Sequence, residues 1–197
     1  MAITAKQVKE LRDVTGAGMM DCKKALQETD GDLEKAVDFL RSKGAAKAAK
    51  REAKSANEGT IGTYIHHNGK VGVMVQVNCE TDFVAKTDDF LQLAKDLAMH
   101  IASAAPLALS IDDLPQEDIE REKNVYLAQV AEEGKPEQIR EKIVEGKLRK
   151  WFEDVALLEQ PFVKDTDRKV GQLITEVSAR TGEKIEVARF ARFQIGG

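Results

Sequence analysis

Residues 58–78 read EGTIGTYIHHNGKVGVMVQVN, and β-branched and aromatic side chains alternate with other residues on both sides of the centre. That centre is Asn68-Gly69, a pair that tolerates the positive φ angles of a tight hairpin turn. The second half carries a valine at every other position from Val71 to Val77. Because side chains alternate between the two faces of a strand, these valines share one face. The stretch therefore predicts a β-hairpin with one apolar face.

A helical pattern follows the hairpin and supplies apolar side chains against which the valine face can pack. Phe90, Ala94, Leu97 and Ile101 recur at helical spacing. Further helical patterns come next, and residues 184–195 then read as a last strand. Because the backbone of that strand needs hydrogen-bond partners from distant parts of the chain, we expect it to complete a three-stranded antiparallel sheet with the hairpin.

Three short helical patterns precede the hairpin. Thr4 and Gln7 form a capping box at the start of the first, and the second spans about residues 19–28. The third is expected to end at Gly44, because glycine commonly occupies the position that stops a helix. Three helices of this length predict a small N-terminal domain that buries only a small core.

A basic segment separates these helices from the hairpin. Residues 41–54 carry six basic side chains against the single carboxylate of Glu52, a net charge of +5 in a chain whose net charge is −4. Its alanines favour helix, but few large apolar side chains anchor it, so we interpret it as a solvated helical linker. The sequence thus predicts an α+β protein with a three-helix domain at residues 1–44, a linker at 45–57 and a sheet-containing core at 58–197.

Composition argues against several classes of protein. A net charge of −4 and a pI of about 5.6 do not indicate nucleic acid as the main partner. The N-terminus has no apolar signal core, and no run of about 18 apolar residues is present that could span a membrane. Cys22 and Cys79 could form one disulfide, but a chain of this size does not need it, so reduced thiols are the simpler interpretation. We therefore expect a cytoplasmic protein with neither a membrane nor a nucleic acid as its direct partner.

No motif indicates an enzyme, a metal site or a cofactor. The sequence contains no Walker loop, CxxC or HExxH. His66 and His67 are neighbours on a strand, so their rings point to opposite faces. An enzyme with Cys79 as its nucleophile remains an alternative, although no histidine has a sequence tie to that cysteine. A binding protein without catalytic residues or a cofactor is the preferred interpretation.

Two stretches place apolar side chains where charged residues predominate. Residues 78–86, NCETDFVAK, connect the second hairpin strand to the next helix, and Phe83 either folds back into the core or projects outward. In residues 15–24, TGAGMMDCKK, the Met19-Met20 pair is either an adaptable contact surface or part of a small core. The residues alone leave both alternatives open.

These two stretches resemble the signatures of the elongation factor Ts family. VKELR at 8–12 followed by TGAGMMDCKKAL at 15–26 is similar to the N-terminal signature, and VNCETDFVAK at 77–86 is similar to the second. Shorter similarities are AMHIA at 98–102, GKP at 134–136, VEGK at 144–147 and QPFV at 160–163. The resemblance covers essentially the whole chain, and two long signatures in the right order are highly specific.

The resemblance implies a three-helix N-terminal domain like the ubiquitin-associated (UBA) domain, and it implies a mechanism. Members of this family release GDP from elongation factor Tu (EF-Tu), a GTPase that holds GDP together with Mg²⁺. By this resemblance Phe83 is an apolar wedge between helices of the GTPase domain, with Asp82 as its polar companion. Thr81 and Val84 shape the loop. The resemblance further implies that EF-Tu then loses Mg²⁺ and binds GDP more weakly, without any covalent bond being broken.

The resemblance also implies further contacts with EF-Tu in its GDP-bound and nucleotide-free forms. The residues implied are Arg12, Met19, Met20, Lys23 and His100. His100 lies one residue before Ile101, so we expect it on the flank of its helix.

One difference from longer family members concerns assembly. Those members carry two core halves, whereas the sequence here predicts a single hairpin core, so two copies are expected to associate as a homodimer. An alternative function is an RNA- or ribosome-associated binding module that uses the basic segment at 41–54. Binding of that kind would weaken steeply with rising salt.

Overall fold

The computed structural model describes residues 3–196 and contains both helices and sheets. The helices are α1 (Ala5–Thr15), α2 (Met19–Glu28), α3 (Leu33–Ala49), α4 (Asp82–Ala85), α5 (Asp88–Ala104), α6 (Gln116–Glu132), α7 (Glu137–Val155) and α8 (Val170–Thr181). The strands are β1 (Glu58–Ile65), β2 (Val71–Cys79), β3 (Pro161–Phe162), β4 (Asp165–Lys169) and β5 (Ile185–Gln194). The α+β class predicted from the sequence is confirmed.

The described chain separates into two compact units, each assembled from three segments. The first contains the described residues up to Thr60 together with Val77–Leu93 and Ile174–Glu186. The second contains Ile61–Gln76, Ala94–Leu173 and the described residues from Val187 onward. Neither unit is a continuous stretch of sequence. The division of the sequence at residues 44 and 57 stays a prediction.

The N-terminal helices begin and end where local capping interactions place them. Gln7 N–H donates to Thr4 Oγ1 at 3.3 Å, and Thr4 N–H donates to Gln7 Oε1 at 3.0 Å, which confirms the predicted capping box. Gly16 ends α1 in the left-handed conformation, and Asp32 caps α3 by accepting a bond from Lys35 N–H at 3.1 Å. The helices enclose a small core of Val8, Leu11, Cys22, Ala25, Leu26 and Ala36.

Helix α3 continues beyond Gly44 to Ala49, so the predicted stop at this glycine is wrong. A Cβ at position 44 would lie 3.0 Å from the Cβ of Ala179 in α8. The missing side chain therefore allows two helices of the first unit to approach closely, and it does not end a helix.

Ion pairs connect the basic segment at 41–54 to acidic side chains of the same unit. They join Arg41 Nε to Glu176 Oε1 (3.7 Å), Lys43 Nζ to Asp21 Oδ1 (2.7 Å), Lys47 Nζ to Asp21 Oδ2 (3.2 Å) and Arg51 Nη1 to Glu80 Oε1 (2.7 Å). Each of these pairs is partly exposed and adds little to the free energy of unfolding. Most residues of the segment are exposed nevertheless, and its interpretation as a solvated linker stays a prediction.

Strands β1 and β2 form the predicted hairpin. Gly69 has a φ of 68°, His66 N–H donates to the Val71 carbonyl at 2.9 Å, and Lys70 N–H donates to Asn68 Oδ1 at 3.0 Å. Strand β5 lies on the other side of β2, which gives an antiparallel sheet in the order β1-β2-β5. The hairpin and the distant third strand are both confirmed.

One face of this sheet packs against α5. Val75 of β2 is fully buried. The β1 backbone at Gly62 lies so close to α5 that a Cβ there would be 2.4 Å from the Ala94 carbonyl oxygen. Arg192 of β5 donates from Nε to the Ala102 carbonyl of α5 at 3.3 Å. The valine face predicted from the alternation thus faces the interior.

The opposite face of the sheet exposes four large apolar side chains. Ile61 and Ile65 of β1, Met74 of β2 and Phe193 of β5 are between 50% and 69% exposed. Phe193 follows Arg192, whose side chain points toward α5, so the Phe193 ring lies on the other side of the sheet. We call these four residues the outer sheet face.

Helices α6 and α7 pack against each other in the second unit. Lys147 Nζ of α7 lies 5.6 Å from the centre of the Tyr126 ring of α6. Burial, together with the neighbouring carboxylate of Glu122, raises the pKa of Tyr126 to about 12. Among the described helices, none combines the length and the apolar character needed to cross a bilayer.

Candidate partner-binding site

The stretch after β2 forms a one-turn helix that presents an aromatic ring to solvent. Thr81 caps α4, because its Oγ1 accepts a hydrogen bond from Val84 N–H at 3.4 Å. Ala85 of the same turn is buried, whereas Phe83 is 80% exposed. The alternative in which Phe83 folds back into the core is therefore wrong.

Asp82 accompanies Phe83 on α4. Lys86 Nζ donates to Asp82 Oδ2 at 2.6 Å, and the Asp82 side chain is 49% exposed. By accepting this bond, the carboxylate raises the pKa of Lys86. A solvent-exposed pair of this kind contributes little to stability and can be exchanged for another partner at low cost. Helix α4 thus carries an aromatic ring and an accessible carboxylate on adjacent residues.

Two carboxylates hold the backbone that leads into α4. Glu183 Oε2 accepts bonds from Glu80 N–H at 3.1 Å and Thr81 N–H at 3.0 Å, and Thr81 Oγ1 donates to Glu183 Oε1 at 2.7 Å. Glu80 Oε1 in turn accepts from Lys184 N–H at 2.7 Å, and Arg51 Nη1 donates to both Glu80 oxygens. The Lys184 amide and the Arg51 guanidinium lower the pKa of Glu80. We call these five residues the carboxylate clamp.

Cys79 precedes the turn and is buried. Its Sγ donates to the Thr81 carbonyl at 3.1 Å. Burial, assisted by the negative charge of Glu183, raises the pKa of the Cys79 thiol. A raised pKa leaves less of the thiolate that acts as a nucleophile, so this environment gives no support to Cys79 as an enzyme nucleophile. Within residues 3–196, no three His, Cys, Asp or Glu side chains are placed to hold a metal ion.

The two methionines of α2 lie on its exposed side. Met19 is 55% and Met20 75% exposed, whereas the small core takes Cys22 and Leu26 from the same helix. Asp21, the residue after Met20, accepts bonds from Lys43 and Lys47, and the Lys43 bond contributes most to lowering its pKa. Of the two alternatives for the methionine pair, the structure therefore supports an exposed surface and excludes the core.

Arg12 of α1 and Lys23 of α2 are also exposed. Val14, near the end of α1, is 73% exposed and was not expected from the sequence to contribute to this surface. The available signal is its helical angle, since six residues after Val8 it is rotated about 120° from that buried position around the helix. The first unit thus presents Arg12, Val14, Met19, Met20 and Lys23 in addition to the α4 turn.

His100 does not lie on the flank of its helix as expected. Only 1% of it is exposed, and both ring nitrogens have partners within the second unit. Nδ1 accepts a bond from Val163 N–H at 3.2 Å, and Nε2 lies 2.9 Å from Gln160 Oε1. Burial lowers the pKa of His100. Direct contact between His100 and a partner stays a prediction, and the ring is committed to internal bonds in this structure.

The fold and the two signature stretches define the class of protein. The sheet in the order β1-β2-β5, the capped turn with the sequence TDFV and the three N-terminal helices occur together with a match of residues 4–197 to the family model described as Elongation factor TS. The chain is therefore a translation elongation factor by class.

Similarity to individual proteins identifies the family within this class. The chain belongs to the elongation factor Ts family. It is 58% identical over 194 residues to elongation factor Ts of Syntrophomonas wolfei, covering 98% of this chain and 91% of that protein. Identity to the Desulfotalea psychrophila protein of the same name is 58% over 196 residues, with all of both chains covered. The Geobacter sulfurreducens protein, also called elongation factor Ts, is 55% identical over 196 residues, covering all of this chain and 91% of its own.

Proposed function

We propose that this chain is a guanine-nucleotide exchange factor for EF-Tu. It binds EF-Tu·GDP, disturbs the Mg²⁺ and phosphate site, and stabilises the nucleotide-free form. No covalent step is involved. A partner that binds the nucleotide-free state more tightly must weaken nucleotide binding by the same factor. Since a translation factor acts where ribosomes work, we infer that the chain acts in the cytoplasm.

The exposed ring of Phe83 is the observation that carries this proposal. An aromatic side chain that is 80% exposed contributes little to its own fold, but it gains much when a partner buries it. The adjacent Asp82 carboxylate can leave Lys86 for a donor on the partner, because their ion pair is exposed. Thr81 and Val84 shape the turn through the bond between the Thr81 hydroxyl and the Val84 amide.

A second contact surface is proposed on α1 and α2. Met19 and Met20 are exposed and flexible, which suits an adaptable apolar contact. Arg12 and Lys23 would add charge at its edge. His100 differs from these four, because it would have to give up two internal bonds to contact EF-Tu directly.

The deciding experiment measures release of fluorescent GDP from EF-Tu with wild-type protein and with Phe83→Ala. We expect wild-type protein to accelerate GDP release. At low protein concentration the acceleration by Phe83→Ala should be about 30-fold smaller than that by wild type, as expected when a buried aromatic anchor is removed. Leu107→Ala is the matched control, since Leu107 is an apolar side chain of the second unit that is 71% exposed. Unchanged acceleration by folded Phe83→Ala protein would mean that the wedge assignment is wrong.

The methionine surface has a separate test. Met20→Ala should raise the concentration of protein needed for half-maximal GDP release and leave the maximal rate nearly unchanged. That pattern is expected of a contact that binds the partner equally before and during exchange. A lower maximal rate with an unchanged half-maximal concentration would assign Met20 to the exchange step instead.

The RNA-binding alternative draws less support from the structure. Lys43, Lys47 and Arg51 of the basic segment already bind the carboxylates of Asp21 and Glu80. Their charge is therefore partly neutralised, and less counterion release is available to drive binding to phosphates. Binding to RNA that falls steeply between low and physiological salt would restore this alternative.

We also propose that two copies of the chain associate through the outer sheet face of Ile61, Ile65, Met74 and Phe193. Large apolar side chains exposed on one face of a sheet commonly mark an interface. A second copy suits this face because a two-fold axis brings the same apolar surface from both chains together. The single hairpin core expected from the sequence gives a reason for such pairing.

Sedimentation tests the homodimer. Wild-type protein at micromolar concentration should sediment as a dimer, and Ile65→Lys should sediment as a monomer because it buries an unpaired charge in the interface. Leu107→Lys is the control and should leave the dimer intact. Monomeric wild-type protein would refute the association without affecting the exchange proposal.

A further inference from the structure

The Phe83 turn is too short to hold its own orientation. Helix α4 contains only four residues, and an isolated helix of that length is unstable in water. The outward direction of the ring must therefore come from contacts made elsewhere in the unit. The carboxylate clamp supplies them immediately before the turn, at Glu80 and Thr81.

The bonds of the clamp are reciprocal. The side chain of Glu183 binds the backbone at positions 80 and 81, while the side chain of Glu80 binds the backbone amide of Lys184. Each carboxylate thus fixes the chain segment from which the other projects. Arg51 adds two bonds of 2.7 and 2.9 Å to Glu80 and completes the clamp. Hydrogen bonds to ionised acceptors are roughly twice as strong as neutral ones.

Thr81 connects the clamp to the turn. The Thr81 hydroxyl donates its proton to Glu183 Oε1 at 2.7 Å. The lone pairs of the hydroxyl oxygen are therefore free to accept from Val84 N–H, the hydrogen bond that caps α4. Donation to a carboxylate makes the hydroxyl oxygen a better acceptor, because linked hydrogen bonds polarise one another. Phe83 lies two residues beyond Thr81, so a change in the Thr81 backbone angles moves the ring directly.

We propose that Glu183, together with Glu80, is a positioning residue for nucleotide exchange, which holds the Phe83 turn in the orientation that EF-Tu receives. This inference rests on the proposed function for the role of Phe83. The clamp itself is a property of the free protein and can be tested without EF-Tu. Neither carboxylate touches the nucleotide or the metal in this scheme.

The first experiment measures the free protein. Hydrogen exchange of the Glu80 and Thr81 amides should accelerate in Glu183→Ala, and a fluorinated Phe83 ring should give a broader or shifted ¹⁹F signal. Glu183→Gln keeps the size of the side chain and serves if the alanine variant does not fold. Glu186→Gln is the matched control, since the Glu186 carboxylate pairs with the Lys184 side chain at 2.7 Å and not with the turn. Amide exchange and a ¹⁹F signal that match wild type in Glu183→Ala would overturn the clamp.

The second experiment measures GDP release. If the freed turn adopts the productive orientation about one-tenth of the time, the concentration for half-maximal release rises about tenfold. The maximal rate should change less, and Glu186→Gln should behave like wild type. In the Phe83→Ala background, Glu183→Ala should have no further effect, because the ring through which it acts is gone.

The outcomes separate the two proposals. Wild-type protein that fails to accelerate GDP release contradicts the exchange function, and the amide measurements then decide the clamp alone. Wild-type acceleration that is retained in Glu183→Ala contradicts the positioning role and leaves the exchange function intact. Additive losses in the double variant would show that Glu183 acts by a route other than Phe83, which also overturns the proposal.

Discussion

His100 and Gln160 form a buried side-chain pair, with His100 Nε2 2.9 Å from Gln160 Oε1. Because His100 Nδ1 accepts the Val163 amide, the ring proton is on Nε2 and is donated to the Gln160 oxygen. The Gln160 amide nitrogen then donates to the Asp154 carbonyl at 2.6 Å. Every polar atom of the pair is thereby satisfied, and the neutral ring is the form that fits.

This pair makes stability depend on pH. Burial lowers the pKa of His100 below its ordinary value of 6.5, so between the two values the unfolded chain binds a proton that the folded chain does not. The free energy of unfolding should be fully retained above about pH 6.5 and should fall below it, by at most about 1.4 kcal/mol per pH unit for this proton. Urea unfolding at a series of pH values measures the slope. His100→Gln should be less stable at pH 8 yet show a shallower slope, and an identical slope would assign the effect to other groups.

Two phenylalanines of adjacent elements should differ sharply in their contribution to stability. Phe90 is fully buried in α5, and Phe90→Ala should lower the free energy of unfolding by about 3–5 kcal/mol. Phe83 is exposed, and Phe83→Ala should change it by less than about 0.5 kcal/mol. Urea denaturation of both variants makes the comparison. A large loss in Phe83→Ala would show that the ring is part of the core, contrary to the structure.

The contact between β1 and α5 requires a glycine. In Gly62→Ala the new Cβ would meet the Ala94 carbonyl oxygen at 2.4 Å. A Cβ is fixed to its own backbone and the carbonyl belongs to another, so neither atom can rotate away. The overlap should lower the free energy of unfolding by about 1–3 kcal/mol. Gly72→Ala is the control on β2, where the Cβ would meet only the Ile65 Cδ1 at 3.1 Å, the end of a flexible side chain. Melting temperatures should fall clearly for the first variant and little for the second. Equal effects would mean that the helix is not held against the sheet at Gly62.

Two glycines within helices should respond differently to alanine. A Cβ at Gly146 in α7 has no heavy atom within 4 Å beyond its own helix, so Gly146→Ala should stabilise by about 0.5–1 kcal/mol through helix propensity alone. At Gly44 in α3 the same gain is opposed by the Ala179 Cβ at 3.0 Å. Calorimetry should therefore show a higher melting temperature for Gly146→Ala than for Gly44→Ala. The same increase at both sites would contradict the close packing of α3 and α8.

Local sequence patterns were sufficient to predict a structural feature wherever the interactions that form it lie within one short stretch. The turn at Asn68-Gly69 needs only residues that accept positive φ, and the capping box of Thr4 and Gln7 needs only two side chains three residues apart. Gly44 shows the opposite case. The same residue type that ends a helix also permits close packing of two helices, and only the presence of Ala179 distinguishes the two uses.

The sequence by itself determined the α+β class, the hairpin, the apolar valine face and, through its two signatures, the family. Only the tertiary structure decided that Phe83 points outward, that His100 points inward and that Glu183 holds the turn. The reason is the range of the interactions. Glu183 and Thr81 are 102 residues apart, and no periodicity within either segment encodes their meeting. The same local sequence can place a side chain toward solvent or toward the core. Which of the two occurs depends on the segments that the rest of the fold places beside it.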